Sequence, residues 1–213
     1  MRINQFTRNL SAVFAILIGL YPLLYFMVDM HSQGLLQTKP HALLNSALWS
    51  TSFFIHISTG GLALLTGWPQ FNAKRRKRNL GLHRVLGRIY VIAVAASSIS
   101  GLYVAFFATG GLVCAYGFST LALLWLFTDA MAFATIRKGQ VEAHRRWMIL
   151  NYSLTFAAVT LRLWMPLFIG LMHIDFLHAY RIIAWLSWVP NLAIAWWLAK
   201  RKDIVESRLQ VIQ

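Results

Sequence analysis

The stretch EAHRRWMILNYSLTFAAVTLRLW, residues 142–164, begins with a charged cluster and continues as an apolar run that only Arg162 interrupts. A helix of roughly 20 apolar residues crosses the hydrocarbon core of a bilayer, so this run is long enough to span a membrane. Within lipid a spanning segment must satisfy its own backbone hydrogen bonds, which favours an α-helix. A strand of a membrane barrel would alternate apolar and polar residues, and this stretch does not.

The rest of the chain has the same character, because 58% of its 213 residues are hydrophobic and only 12% are charged. A soluble domain of this size needs a more polar surface. Short loops join six apolar segments and leave no room for a separate soluble domain. The segments lie at about 9–28, 42–68, 89–108, 112–136, 147–170 and 179–199. We therefore predict one all-α domain, an integral membrane bundle of six transmembrane helices.

Lysine and arginine are distributed unevenly between the two sides of this bundle. Seventeen of the 20 lie in the termini and the even-numbered loops, whereas only Lys39 and Arg181 lie in the odd-numbered loops. Cytoplasmic loops are enriched in Lys and Arg, so both termini are predicted to be cytoplasmic in a multi-pass protein of the inner membrane. The net charge of +14 is then explained by contact with anionic lipid headgroups, and it does not indicate nucleic-acid binding.

Two histidines mark the cytoplasmic ends of alternate helices. His83 leads into the third helix and His144 into the fifth, and each is followed by an arginine. Two imidazoles on facing helices can bind a haem iron axially, and guanidinium groups can hold its propionates. The arginines in position to do so are Arg84, Arg88, Arg145 and Arg146. The alternative is a pair of interfacial histidines that contact lipid phosphate.

Further polar residues lie inside the apolar segments, where ionisable groups are costly and usually face the bundle interior. Counting along the helices places Arg162 and His56 at middle to outer depth, and Asp129 and Asn191 nearer the cytoplasm. No carboxylate lies at the depth of Arg162, and an unpaired arginine there costs at least ~2.5–3.5 kcal/mol. It needs carbonyls, water or an anionic ligand, unless it extends to the outer headgroups or reaches Asp175.

The third helix carries a small residue at every fourth position. These residues are Ala93, Ser97, Gly101 and Ala105. Such a stripe lets a neighbouring helix, or a flat cofactor, approach closely.

His56 lies in mid-span, where a core histidine bonded to a hydroxyl or a carbonyl is the ordinary interpretation and a ligand or proton-relay role is the alternative.

Sequence motifs for other chemistry are absent or weak. The chain has no Gly-rich phosphate loop, nucleophile elbow, HExxH or CxxC, and its single cysteine excludes an intrachain disulfide. Four histidines near the outer loops could form a metal site, although nothing in their spacing fixes a geometry. They are His31, His41, His173 and His178.

Three motifs in order resemble an uncharacterised bacterial family of multi-pass membrane proteins, domain of unknown function 2306 (DUF2306). The motifs are HISTGGLALLTGWPQF, GLHRVLGRIYV and EAHRRWMILNYSLTFAAVTLRLW, and the likeness covers roughly residues 50–165. Its residues are His56, Gly60, Gly67, Gln70, His83, Arg84, Gly87, Arg88, Tyr90, His144, Arg145, Trp147, Met148 and Arg162. The family has no established activity, so the resemblance implies a membrane protein and no mechanism.

The chain also has a weaker likeness to the ascorbate-reducible b-type cytochromes, which are six-helix proteins that hold two haems by histidine pairs on four central helices. His83 and His144 are similar to one such pair. His56 would need a partner on the fourth helix, and that segment contains no histidine. The likeness therefore implies one haem at most.

Three functions remain open at this point. The first is an electron carrier or oxidoreductase with one b-type haem, in which Arg162 and His56 line a pocket for a quinone or a second cofactor. The second is a non-enzymatic transporter or a binder of a small anion or lipid, with a polar pathway through Arg162, Asp129 and His56 that also includes Asn191. The third is a structural subunit of a larger complex.

Overall fold

A computed structural model describes residues 5–27 and 36–211, and the regular structure of this part of the chain is helical. Numbered in order, the helices are α1 Gln5–Leu20, α2 Pro22–Tyr25, α3 His41–Leu44, α4 Ala47–Gly67, α5 Ala73–Arg78, α6 Leu80–Ala105, α7 Leu112–Arg137, α8 Val141–Thr155, α9 Ala157–Pro166, α10 Phe176–Leu186 and α11 Val189–Val211. Two 3₁₀ turns (Leu36–Thr38, Trp68–Phe71) and a π-helical turn (Leu167–Leu171) accompany them. The all-α prediction is confirmed.

Five helical segments in the described residues are long and apolar enough to cross a membrane. They are Ala47–Phe71, Leu80–Ala105, Leu112–Arg137, Val141–Leu171 and Phe176–Lys200. The predicted first span corresponds to a shorter apolar helix, Asn9–Tyr25, which turns at Tyr21 before Pro22, and residue 28 lies outside the described residues. The structure thus agrees with a protein that crosses the membrane several times, and the count of six stays a prediction.

Two helices begin earlier than their hydropathy predicts. α6 begins at Leu80 instead of residue 89, because the side chain of Asn79 accepts a hydrogen bond from a backbone N–H of the first turn at 2.8 Å. α8 begins at Val141 instead of residue 147. His83 and His144 therefore lie within helices, which fixes their direction more firmly than a loop would.

The last two predicted spans are each interrupted. A turn at Phe156 separates α8 from α9, and Ser187 and Trp188 separate α10 from α11. The break at Ser187 and Trp188 precedes Pro190, which has no N–H for the Leu186 carbonyl and whose ring crowds that carbonyl, so the sequence carries a signal for this break. Phe156 has no Gly or Pro beside it, so the sequence pattern did not show that break.

Four helices, α4, α6, α7 and α8, form the centre of the bundle. α6 packs along α4 and α7, while α8 packs along α7, so that α6 and α8 lie across the bundle from each other. The close approach of α4 depends on Gly67, because a Cβ there would lie 2.5 Å from a ring carbon of Tyr152 and 2.7 Å from one of Tyr90. α1 covers α4, and α10 and α11 pack against α7 and α8.

The bundle has two chemically different ends. We call the end that carries α5 and the N-termini of α6 and α8 the basic end, because it holds the run AKRRKR of α5. The opposite end is made of residues 36–46, 106–111 and 172–175. The tight connection from α6 to α7 there requires positive φ angles at Gly110 and Gly111, which are 102° and 73°.

Candidate functional site

A layer of hydrogen-bonded side chains crosses the centre of the bundle. Tyr90 is fully buried, and its hydroxyl donates to Oδ1 of Asn151 and lies 2.7 Å from the hydroxyl of Thr155. The amide of Asn151 donates to the carbonyl of Trp125 and to the hydroxyl of Thr128, both at 2.9 Å. We call these five residues the polar layer. Since its members come from α6, α7 and α8, the layer fixes the heights of these helices relative to one another.

His83 and His144 lie at the same height, on the basic side of the polar layer. Each precedes a member of that layer by seven residues on its helix, which is about 10 Å at 1.5 Å per residue. The imidazole of His83 is within electrostatic range of His144, Arg76 and Arg84. The structure thus brings the predicted pair to one place, across the bundle from each other, with no hydrogen bond recorded between the two rings.

The orientation of His144 is set by a backbone carbonyl. Its Nδ1 lies 2.8 Å from the carbonyl oxygen of Ala132 on α7. A carbonyl only accepts, so Nδ1 carries the proton, and Nε2 of the neutral ring keeps its lone pair. Metal-ligating histidines generally have this second hydrogen bond, which fixes the tautomer and the plane of the ring.

The surroundings of His83 contain an amide without a partner and a glycine with open space beside it. Gln70 is 8% exposed, and neither its Nε2 nor its Oε1 has a partner. Gln70, Arg76 and His83 line a small, partly open space of about 10 Å³, which is room for a single water. One turn after His83, a Cβ added to Gly87 would meet nothing within 4 Å. The small space alone does not hold a porphyrin, and at Gly87 no side chain blocks the approach of another group.

The arginines predicted to hold propionates are mostly on the surface. Arg84, Arg88 and Arg146 are exposed. Arg145 forms an ion pair with Glu142 at 3.5 Å, in which both side chains are well exposed, and such a pair adds little to stability. Of the arginines that line the space beside His83, Arg76 on α5 is the least exposed. The spacing of the sequence did not predict it.

His56 is a hydrogen-bonded histidine on the small-residue stripe of α6. Its Nδ1 lies 2.9 Å from the carbonyl oxygen of Ser97, and the Ser97 hydroxyl donates to the His56 carbonyl at 2.8 Å. A Cβ on Gly101 would lie 2.5 Å from the same ring nitrogen. The stripe therefore packs α6 closely against α4, and His56 makes the carbonyl and hydroxyl contacts that the ordinary interpretation predicts.

Arg162 lies in α9 in an aromatic environment. Its Nη1 donates to the carbonyl of Ala158, one turn earlier, at 2.9 Å, and its Cζ lies 4.8 Å from the centre of the Tyr21 ring. The side chain is half-buried and within electrostatic range of His56. The structure thus brings together His56 and Arg162, which the sequence placed at similar depth.

Asp175 is not the partner of Arg162, which corrects one of the sequence alternatives. Its carboxylate caps α10 by accepting from the backbone N–H groups of Leu177 and His178, at 3.0 and 3.4 Å. It also pairs with the His178 imidazole at 3.2 Å. These hydrogen bonds, that of the imidazole first, hold the pKa of Asp175 below its usual range.

Asp129 lies apart from His56 and Arg162. It is 3% exposed, its Oδ1 has no hydrogen-bond partner, and it interacts electrostatically with Tyr90 of the polar layer. Along α6 the fully buried Val94 lies between the heights of Tyr90 and Ser97. The structure records no contact between Asp129 and the other members of the predicted pathway.

Asn191 has a structural role at the break between α10 and α11. Its amide donates to the carbonyl of Ser187 at 2.9 Å and to the hydroxyl of Thr160 at 3.1 Å. Thr160 donates to the same carbonyl at 2.5 Å. Both side chains therefore satisfy a carbonyl that the broken helix leaves without its usual partner.

The histidines near the loops do not form a metal site in the part of the chain that the structure describes. His31 lies outside the described residues. His41 begins α3, His173 has a φ of 52° in a loop, and His178 pairs with Asp175. Residues 5–27 and 36–211 contain no group of three or more His, Cys, Asp or Glu that could hold a metal ion.

Sequence reasoning missed the tyrosines around Arg162. Tyr21, Tyr25 and Tyr180 all lie within electrostatic range of its guanidinium. Tyr21 and Tyr25 lie four residues apart at the end of the first apolar segment, whereas Tyr180 lies on α10, far along the sequence. No periodicity relates that pair to Tyr180 or to Arg162. The one available signal was that each is a phenol near the end of an apolar helix, as interfacial tyrosines usually are.

Comparison with known proteins gives one family. The predicted membrane protein family DUF2306 matches residues 53–199. That range contains the polar layer, both histidines of the basic end, and Arg162. No curated protein and no solved structure matches the chain.

Proposed function

Because the chain belongs to the predicted membrane protein family DUF2306, we propose a function within the membrane, that of an electron carrier with one b-type haem between His83 and His144. One observation carries the proposal. The two imidazoles share a height across the bundle and lie within electrostatic range of each other. The hydrogen bond from His144 to Ala132 leaves its other ring nitrogen free to bind iron.

The donor chemistry of the residues around His83 fits a haem. Two neutral imidazoles from facing helices supply the axial ligands of a b-type centre. Gln70 and Arg76 provide an unpartnered amide and a guanidinium for the propionates. At Gly87 an added Cβ meets nothing within 4 Å, so no side chain blocks a flat ring at that position.

Other residues hold this arrangement and exclude water from it. A bound haem would supply one-electron transfer, which none of the amino-acid side chains of this end provides. The polar layer fixes the heights of α6 and α8, and the Ala132 carbonyl orients His144. The buried side chains of Leu154, beside the layer, and Val94, one turn beyond it, keep the interior apolar.

The test is the reduced-minus-oxidised absorbance spectrum of the full chain, purified from haem-sufficient cells. We expect a b-type spectrum that is lost in His83→Ala and in His144→Ala. His178→Ala is the matched control, because that exposed histidine pairs only with Asp175 and should leave the spectrum intact. A colourless wild-type protein, or an unchanged spectrum in both ligand variants, would refute the proposal.

The proposed topology is six spans with both termini in the cytoplasm of a bacterial inner membrane. It is supported by the concentration of Lys and Arg at the basic end, where anionic headgroups would lie. The test is labelling with a membrane-impermeant maleimide after Cys114→Ser. Thr109→Cys, at the opposite end, should react in intact cells, and Gln140→Cys should react only after permeabilisation. The reverse pattern would invert the topology.

The transporter alternative receives less support from the geometry. A pathway of this kind needs polar groups that lead from Asp129 to Arg162. The described interaction of Asp129 is with Tyr90 instead. The breaks at Phe156 and Ser187 are the feature that would favour transport, since broken helices line many transport sites. Here the side chains of Thr160 and Asn191 donate to the Ser187 carbonyl, so this carbonyl already has its hydrogen-bond partners and does not need a transported ion as a ligand.

A further inference from the structure

The surroundings of Arg162 contain hydrogen-bond donors and no described carboxylate. The guanidinium has five N–H donors, of which the structure records one in use, to the Ala158 carbonyl. Two carboxylates are accounted for elsewhere: Asp175 caps α10, and Asp129 lies beside Tyr90. Among residues 5–27 and 36–211, no ion pair of Arg162 is recorded. Within the described residues, four donor positions of the guanidinium therefore have no hydrogen bond.

Three phenols line the same place. Tyr21 lies beneath the guanidinium, and its ring meets that of Tyr25 edge to face at 5.7 Å. Tyr180 approaches from α10, where it stacks on Phe176 at 5.5 Å. All three interact electrostatically with Arg162. Tyr21 and Tyr25 share a side-chain hydrogen bond, so one hydroxyl of this pair and that of Tyr180 remain to donate. A phenol donates a hydrogen bond readily, so these groups complement a ligand that accepts.

The rigidity of this aromatic wall argues for a built site. Tyr25 packs edge to face on Phe53 at 5.6 Å, and Phe53 in turn stacks on the buried ring of Trp49 at 5.3 Å. Tyr180 also contacts Phe118 at 5.5 Å. Aromatic rings held by such contacts lose little entropy when a ligand arrives.

Charge decides the class of ligand. A guanidinium stays protonated in proteins, so a site inside the bundle must compensate a full positive charge. A neutral quinone would accept hydrogen bonds and leave that charge unbalanced. An oxyanion accepts hydrogen bonds and also neutralises the charge of the guanidinium. The two coplanar oxygens of a carboxylate match the fork of the guanidinium.

From these contacts we propose that Arg162, Tyr21, Tyr25 and Tyr180 form a binding site for a carboxylate, in the half of the bundle away from the basic end. His56 borders the site through its electrostatic contact with Arg162. The site is separate from the histidine pair and does not depend on haem. The carboxylate can come from water, as a small organic acid, or from the bilayer, as a fatty acid.

The experiment measures the thermal unfolding of the purified full chain in a neutral detergent. The probes are acetate for the water-borne source and oleate for the bilayer-borne source, each compared with chloride or with oleyl alcohol. A ligand that binds only the folded state raises the midpoint in a saturable way. We expect a rise with at least one probe, and the probe that acts identifies the source.

Variants assign the effect to this site. The rise should disappear in Arg162→Gln and should need roughly tenfold more probe in Arg162→Lys, which keeps the charge and loses the fork. Tyr180→Phe should weaken it without unfolding the chain. Arg181→Gln is the matched control. Arg181 lies on α10 next to Tyr180, and its guanidinium donates to the Gly110 carbonyl instead of facing the proposed site.

Two results would overturn the proposal. One is the absence of a rise with both probes in the wild type, or an equal rise in Arg162→Gln or, should that variant fail to fold, in Arg162→Lys and Tyr180→Phe. The other concerns Asp29, which lies outside the described residues. If Asp29→Asn gains a probe response that the wild type lacks, Asp29 is the counter-ion of Arg162 and the chain needs no ligand there.

Discussion

The hydroxyl of Tyr90 on α6 donates a hydrogen bond to the side-chain oxygen of Asn151 on α8, in the fully buried centre of the bundle. This bond joins the two helices that carry His83 and His144, which lie the same number of residues before it. The heights of the two histidines are thus set by a contact two helical turns away.

Removing that hydrogen bond should destabilise the bundle. Tyr90→Phe keeps the ring and leaves the Asn151 oxygen without its donor, so we expect a loss of about 1–3 kcal/mol in unfolding free energy. Asn151→Ala should cost more, because it also removes both hydrogen bonds that the Asn151 amide donates and leaves a cavity. Denaturant titration in mixed micelles measures both. The effects of the two changes should be non-additive when they are combined, and additivity would show that the side chains do not interact.

Packing between α4 and α6 should be sensitive to a methyl group at Gly101. The added Cβ of Gly101→Ala would lie 2.5 Å from Nδ1 of His56, so the ring must move and its bond to the Ser97 carbonyl must weaken. We expect a loss of roughly 1–3 kcal/mol, the usual cost of overpacking. Gly170→Ala is the control, because its Cβ would meet nothing within 4 Å. Equal unfolding midpoints for the two variants would contradict the placement of His56.

Lys39 should react as an unusually acidic amine. Burial lowers the pKa of Lys39 to about 8, compared with about 10.4 for a free lysine side chain. The neutral amine is the reactive form, so acetylation of Lys39 against pH should show a midpoint near 8. Mass spectrometry of the modified peptide measures it, and Lys39→Arg verifies the assignment. A midpoint near 10 would mean that Lys39 is solvated.

The same shift has a consequence for stability, with a definite sign. Since folding lowers the pKa of Lys39, the folded state disfavours the protonated amine. The unfolding midpoint should therefore rise with pH from about 8 towards about 10, and Lys39→Met should remove that part of the rise. If the unfolding midpoint instead fell over this pH interval, and Lys39→Met removed that fall, the result would contradict the lowered pKa of Lys39.

Hydropathy predicted the all-α class and the apolar segments, because lipid forces every backbone group in a span to be satisfied internally. It placed the start of α6 about nine residues late, since His83, Arg84 and Arg88 lower the hydropathy of two turns that are nonetheless helical. The cap at Asn79 was the only local signal of the true start.

The candidate sites were only partly predictable. Shared spacing from the membrane face predicted that His83 would meet His144, since parallel helices carry equal spacings to equal heights. The neighbours of Arg162 depend on how α1, α2 and α10 pack, and a single sequence does not contain that information. The same limit hid the approach to His83 of Gln70, from the 3₁₀ turn before α5, and of Arg76, from α5 itself.

The most direct test of the account is the electron paramagnetic resonance spectrum of the oxidised, purified full chain from haem-sufficient cells. Two imidazole ligands make ferric haem low-spin, so we predict a low-spin signal that is lost when His83 and His144 are both replaced by alanine. A protein with no haem signal, a high-spin signal from a single axial ligand, or a low-spin signal that survives the double replacement would contradict it.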